Sequence, residues 1–153
     1  MTGVALLAPV PEEHLFSGME KCGEAGKVAF GSTDWEVFRT LNELGRSQAV
    51  NVYLYASHSS KFGLPKVRWT ARYMGSVEAK AGAHPEGMAY RPASTEKNQA
   101  DNIDHWIVFW EVVQLRPLPK EAAIPMSRFK GFTARKPYLS SFVPKGPLLV
   151  QDL

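Results

Sequence analysis

The run HWIVFWEVVQLRPL, residues 105–118, sets large apolar side chains on both faces of a strand: Trp106, Val108, Trp110 and Val112 on one, Ile107, Phe109 and Val113 on the other. A strand that is greasy on both sides has to be covered on both sides, which makes it an interior strand and the spine of the core. Pro117 and Pro119 end it, because proline cannot continue a ladder of backbone hydrogen bonds. With 153 residues, 44% hydrophobic and 22% charged, the chain is long enough to bury one core without disulfide or metal staples. Residues 1–153 are expected to form a single domain, since no repeat, low-complexity tract or linker interrupts them.

Two helices are expected ahead of the strands. The stretch PVPEEHLFSGMEKCG has Pro11 and two glutamates at its start, Leu15, Phe16 and Met19 at helical spacing, and Gly23 at its end. KVAFGS reads as a brief strand, after which Trp35, Phe38, Leu41 and Leu44 form one stripe of a second helix that Gly45 stops. Thr33 with Glu36 three residues later predicts a capping box there, while Ser32 is left open between capping and ligand contact.

The period then changes from 3.6 to 2. AVNVYLYAS alternates Val50, Val52, Leu54 and Ala56 against Asn51, Tyr53, Tyr55 and Ser57. VRWTARYMGS alternates Val67, Trp69, Ala71 and Tyr73 against Arg68, Thr70, Arg72 and Met74, with Gly75 expected at a bulge. The segment 81–104 is rich in Gly, Pro, Ser, Asn and Asp, and a loop of that length in a compact domain is commonly functional or mobile. MSRFKGF predicts a helical turn and GPLLVQDL a last strand. The order predicts an α+β fold, a curved sheet or small open barrel with helices packed against it.

Charge and cysteine content narrow the classes. The net charge is +3, but residues 1–113 hold 11 Lys and Arg against 13 Asp and Glu, and residues 114–153 hold 7 against 2. A basic end of this kind suits an anionic partner, nucleic acid above all, and equally suits a solvated surface. The lone Cys22 can form neither an internal disulfide nor a cysteine zinc site and reads as helix filler. No apolar run approaches the roughly 20 residues of a membrane helix, and MTGVALLAPV lacks a basic start, so a cytoplasmic location without a membrane partner is the expectation.

The succession AVNVYLYAS, KVRWTARYMGSVEA and DHWIVFWEVVQLRPLP resembles the PUA-like superfamily, in particular its EVE and ASCH branches. The likeness covers roughly residues 45–150 and rests on Tyr55, Ala56 and Ser57, on Val67, Ala71, Gly75 and Val77, and on Leu115, Pro117 and Leu118. It implies a mixed sheet curved into a pseudo-barrel, a cleft that accepts a base or nucleoside, often a modified one, and RNA or DNA as the wider partner. No cofactor is implied.

Candidate site residues fall into three groups. For a base pocket, Phe30 and Ser32 in FGST and Ser57 and His58 in YASHSS sit where strands end and backbone N–H groups come free, and Tyr55 and Trp69 could stack a base. For phosphates, Arg68 and Arg72 share a strand face about 13 Å apart at ~3.3 Å per residue. Their alternative is a solvated face with Glu78 or Glu111 as partners. Arg128, Lys130, Arg135, Lys136 and Lys145 are interleaved with Phe129, Phe132, Tyr138 and Phe142, a composition suited to nucleic acid or to rings anchoring a wet connection. For catalysis, His84, Asp104 and His105, with Glu86 and Asp101 nearby, hold acid–base ingredients of a small hydrolase or nuclease, but their spacing fits no zinc motif. The leading expectation is a non-enzymatic nucleic-acid-binding module; the others are that hydrolase, which requires His84, Asp104 and His105 to converge, and a small-molecule or protein-interaction module sharing only the fold.

Overall fold

The computed structural model describes residues 3–57 and 64–153. Along the chain come β1 (Val4–Pro11), α1 (Glu12–Ala25), β2 (Val28–Ser32), α2 (Trp35–Leu44), β3 (Asn51–Ser57), β4 (Lys66–Val67), β5 (Trp69–Glu78), β6 (Val108–Pro117), β7 (Ile124–Pro125) and β8 (Leu148–Gln151). Six strands make one mixed sheet in the order β2-β6-β5-β3-β1-β8, parallel only between β1 and β3, while β4 and β7 pair separately. The fold is α+β. Among the described residues β2 and β8 do not pair, so the sheet has two ends.

Each face of the sheet carries its own core. Val4, Leu6, Ala8 and Val10 of β1, Val28 and Phe30 of β2, Val52 and Leu54 of β3, Trp69 and Ala71 of β5, and Val108, Trp110 and Val112 of β6 face Leu15 of α1 and Phe38 and Leu41 of α2. The opposite face buries Ala5, Leu7, Tyr53 and Val150 under Met126 and Phe129, which the helical turn Met126–Arg128 delivers. β6 is interior between β2 and β5, as its two-sided apolar run requires, with Phe109 fully buried on the second face. Gly75 lies at φ 136° where the β5–β6 register slips between Tyr73 and Gly75, the expected bulge. Cys22 is half-buried against the first core.

Three expectations need correction. The chain opens with β1 and not with a helix: Val4–Val10 is buried on both faces between β3 and β8, and such a strand reads as an apolar run without alternation. The Thr33–Glu36 capping box does not form, because the helix starts from Asp34, whose φ −86° and ψ 57° direct no side-chain bond to the first turn. It is Ser32 Oγ that accepts the Asp34 N–H, at 3.0 Å, and Thr33 is exposed. In the helices, Phe16 is 50% and Trp35 42% exposed, so each apolar stripe is narrower than its spacing suggested. No described helix is long and apolar enough to cross a membrane.

Candidate functional site

Pairing of β8 with β1 stops at Leu7, opposite Leu148, so Ala8–Pro11 continue with that edge uncovered. β2 is the opposite end of the sheet, and between the two lies a cleft of about 280 Å³. The half-buried Trp106 is its main aromatic wall, with Phe30 and Trp110 of the first core nearly buried behind it, and His14, Ser32, Asp34, Arg91, Asp101 and Lys145 supply polar groups. That volume falls just under the ~300–1,000 Å³ range of ligand pockets, the scale of a single heterocycle.

The long loop forms the far wall, and a buried arginine anchors it. Arg91 donates through Nη1 to Ala29 O at 2.7 Å, through Nη2 to Asp101 O at 2.8 Å and through Nε to Asn102 Oδ1 at 2.9 Å. Its guanidinium lies 5.0 Å from the Phe109 ring centre, and burial lowers its pKa to about 10, which leaves it a full cation at neutral pH. Ala29 also donates its N–H to Tyr90 O at 2.8 Å, so the loop satisfies the outer edge of β2 at that residue. Strand alternation turns the Gly31 N–H and C=O the same way, toward the cleft that Gly31 lines. Trp106 stacks over Gly31 and ties its Nε1–H to Asp101 O at 2.9 Å.

α1 contributes the remaining wall. The Ser94 N–H donates to Ser17 Oγ at 3.0 Å, and Lys97 pairs with Glu13, both docking the loop on the helix. His14 Nδ1 is 2.7 Å from Ser94 Oγ, and its Nε2 is 3.8 Å from Asp101 Oδ2. The Ser94 hydroxyl also lies 3.4 Å from Glu13 O, so the Nδ1–Oγ contact forms with either imidazole tautomer; the Asp101 charge beside Nε2 favours the one with its ring proton there. Burial lowers the His14 pKa below the usual imidazole value, opposed in part by Asp101. The Asp101 side chain is 18% exposed, and among the described residues no N–H or O–H hydrogen-bonds to its carboxylate.

Of the expected base-pocket residues, Phe30 and Ser32 line this cleft. Tyr55 and Trp69 do not: they border a separate groove of about 370 Å³ with Glu12, Phe16 and Arg68. The first turn of α1 divides the two, because Glu12 and Phe16 share one helix face and His14 the other. Trp69 is only 2% exposed, edge-on to Phe16 at 5.0 Å between ring centres, which makes it core. Ser57 pairs with Pro11 at the end of β3 and lines neither space, and His58 lies outside the described residues.

The expected phosphate contacts are also distributed. Arg68 borders the Trp69 groove and donates to Leu118 O at 3.4 Å, whereas Arg72 lines a third groove of about 220 Å³ with Tyr53, Gln114 and Arg116. The two therefore line different grooves, and the arginine that shares a groove with Arg72 is Arg116, from the neighbouring strand. Glu111 is no partner for either, being bound to Lys27. Arg128, Lys130, Arg135 and Lys136 are exposed, with no carboxylate partner among the described residues, on the segment that covers the second core. Lys145 alone of the basic segment reaches the cleft.

The expected catalytic set does not assemble. His84 is buried, accepting the Glu86 N–H on Nδ1 at 3.0 Å and therefore donating through Nε2 to Glu111 Oε2 at 3.1 Å. Glu111 Oε1 in turn bonds Lys27 Nζ at 3.1 Å, and that ammonium sits 4.4 Å from the Tyr90 ring centre. Asp104 and His105 are exposed, and the His105 ring rests on Trp106 at 4.2 Å between centres. No hydrogen bond or ion pair links His84, Asp104 and His105, and no described group of three His, Cys, Asp or Glu side chains could hold a metal ion.

Sequence reasoning overlooked His14 and Arg91, and it grouped Asp101 with His84 and Asp104, whereas Asp101 lines the cleft beside His14. Ser94 and Pro92 beside Arg91, ahead of the turn Asn98-Gln99-Ala100-Asp101, were the available signal that this loop folds back on itself. In comparison with known proteins, the chain matches no family model and no curated protein.

Proposed function

We propose that this protein is a cytoplasmic nucleic-acid-binding module that takes one unstacked base into the cleft between β1 and β2. The observation that carries the reading is the pairing, in a space of heterocycle size, of an indole wall with the His14 imidazole and, 3.8 Å from its Nε2, an Asp101 carboxylate to which no described residue hydrogen-bonds. Aromatic walls give a base about 1–3 kcal/mol by stacking, and polar groups at the end of the slot read its edge. A base reaches such a slot only from a single strand or by flipping out of a duplex.

In this reading the mixed sheet is a pseudo-barrel of PUA-like type, of the EVE or ASCH branch, and the gap between the sheet's ends serves as the binding cleft. Lys145 at the cleft takes the adjacent phosphate, and Arg128, Lys130, Arg135 and Lys136 attract the rest of the backbone.

Fluorescence anisotropy with labelled single- and double-stranded DNA and RNA, with and without modified bases, tests this across a salt series. Single strands are expected to bind, with log affinity falling against log salt by ~0.7 per phosphate contacted. Trp106→Ala should abolish base-dependent binding, and Lys145→Ala should flatten the salt slope. Absence of binding to every strand at low salt overturns the proposal.

A further inference from the structure

Two hydrogen-bonding groups meet at the polar end of the cleft. In the tautomer that Asp101 favours, His14 presents an Nε2–H, and Asp101 Oδ2 lies 3.8 Å from that nitrogen; no described residue hydrogen-bonds to either oxygen of this carboxylate, which offers two acceptors next to the one donor. The separation is too long for a direct bond between them and leaves each group able to hold a neighbouring atom of one planar ligand. The complement of one donor followed by two acceptors is one acceptor followed by two donors.

Among the four common bases, the Watson–Crick edge of guanine has that order, O6, then N1–H, then the N2 amine. We propose that the cleft selects guanine, with His14 Nε2–H donating to O6 and the two Asp101 oxygens accepting from N1–H and N2–H. The inference rests on the base-binding reading above and adds the identity of the base. Adenine and cytosine offer a single amino group to the carboxylate, and uracil a single ring N–H; cytosine would also set its N3 lone pair, and uracil its O2, against the other carboxylate oxygen. A mismatch of this kind leaves a largely buried charged group unpaired, the costly way to lose a hydrogen bond. Ser94 holds the imidazole from behind, and Arg91 and Trp106 hold the Asp101 backbone, so the ring is oriented and the segment that carries the carboxylate is fixed before the ligand arrives.

The test uses ten-nucleotide single strands, ribo and deoxy, that carry one variable residue in a uniform pyrimidine background: guanine, hypoxanthine, adenine or uracil. Hypoxanthine differs from guanine only by the missing N2 amine, so it isolates one contact to Asp101. Anisotropy is expected to show the guanine strand bound about tenfold or more tighter than each of the others. In Asp101→Asn, checked for an unchanged melting curve, the guanine-over-hypoxanthine ratio should fall to near one while the salt-sensitive background binding stays. His14→Gln should weaken guanine and hypoxanthine alike, because both retain O6. Equal affinities for guanine and hypoxanthine overturn the guanine assignment and leave base binding intact; no binding by any strand overturns both.

Discussion

Gly31 lies directly under the Trp106 indole: a Cβ at position 31 would stand 2.5 Å from Cγ, Cδ1 and Cδ2 of the ring. Those atoms are at the root of the indole, so the ring cannot swing its far end aside to make room. Gly31→Ala is expected to lower stability by about 1–3 kcal/mol, as overpacking does, and to shift tryptophan emission as Trp106 leaves the cleft wall. Urea unfolding followed by fluorescence measures both, and an unchanged midpoint would mean that the indole is not seated there.

Arg91 bridges Ala29 O, Asp101 O and Asn102 Oδ1 from a fully enclosed position. A lysine keeps the charge but has no planar fork, so Arg91→Lys should leave buried acceptors unmet and cost about 2–3 kcal/mol. Chemical denaturation gives the value. If the variant is as stable as the parent, the loop is anchored by something else.

His14 carries a pH signature. Burial holds its pKa below the unfolded value of 6.5, with Asp101 and Glu13 opposing and Arg91 and Lys97 assisting. A group whose folded pKa is depressed contributes stability above the unfolded pKa, and that contribution is lost as pH falls toward the folded value. The melting temperature should therefore decline as pH drops from about 7 to 5, and His14→Gln should shallow that decline. Parallel curves for parent and variant would dissociate His14 from the effect.

Glu111 joins His84 and Lys27 away from the cleft. Removing a buried carboxylate that satisfies two cations or donors is costly, and Glu111→Ala is expected to lose about 2–4 kcal/mol, moderated because Lys27 stays partly wet. Strand binding by the folded protein should be unaffected. A variant that folds normally but binds nothing would shift the functional centre to this cluster.

Trp69→Ala offers a contrast with Trp106→Ala. Trp69 is buried in the first core, so its truncation should act on folding, by about 3–5 kcal/mol, and leave base preference alone in whatever fraction remains folded. Loss of preference with full stability would return Trp69 to the site.

Period-2 patterning was enough to find β3, β5 and β6, because each alternates or is two-sided over seven residues or more. β1 escaped because a strand flanked on one side by a parallel partner and covered on both faces has no polar rhythm to detect. The cleft was half legible: Phe30 and Ser32 stood at a strand end, where sites form. His14 and Asp101 were not legible, since they meet only when α1 and the long loop dock, through Ser17–Ser94 and Glu13–Lys97. Tyr55 and Trp69 border a different groove from Phe30 and Ser32 for the same reason, as periodicity gives a residue's face but not the groove into which that face opens.

The pairing of β2 with β6, Phe30 opposite Trp110, joins segments that synthesis makes far apart in time. As the chain leaves the ribosome, β2 has no neighbour in the sheet until β5 has been made and β6 has followed it. During that interval Val28, Ala29 and Phe30 form a bare, apolar strand whose backbone will accept any edge that drifts past, including another copy of itself. The shortness of β2, five residues ending in Gly31 and Ser32, limits how well such an intruder can zip up. The strand that borders the cleft is thus also the one where a nascent chain is most open to the wrong companion.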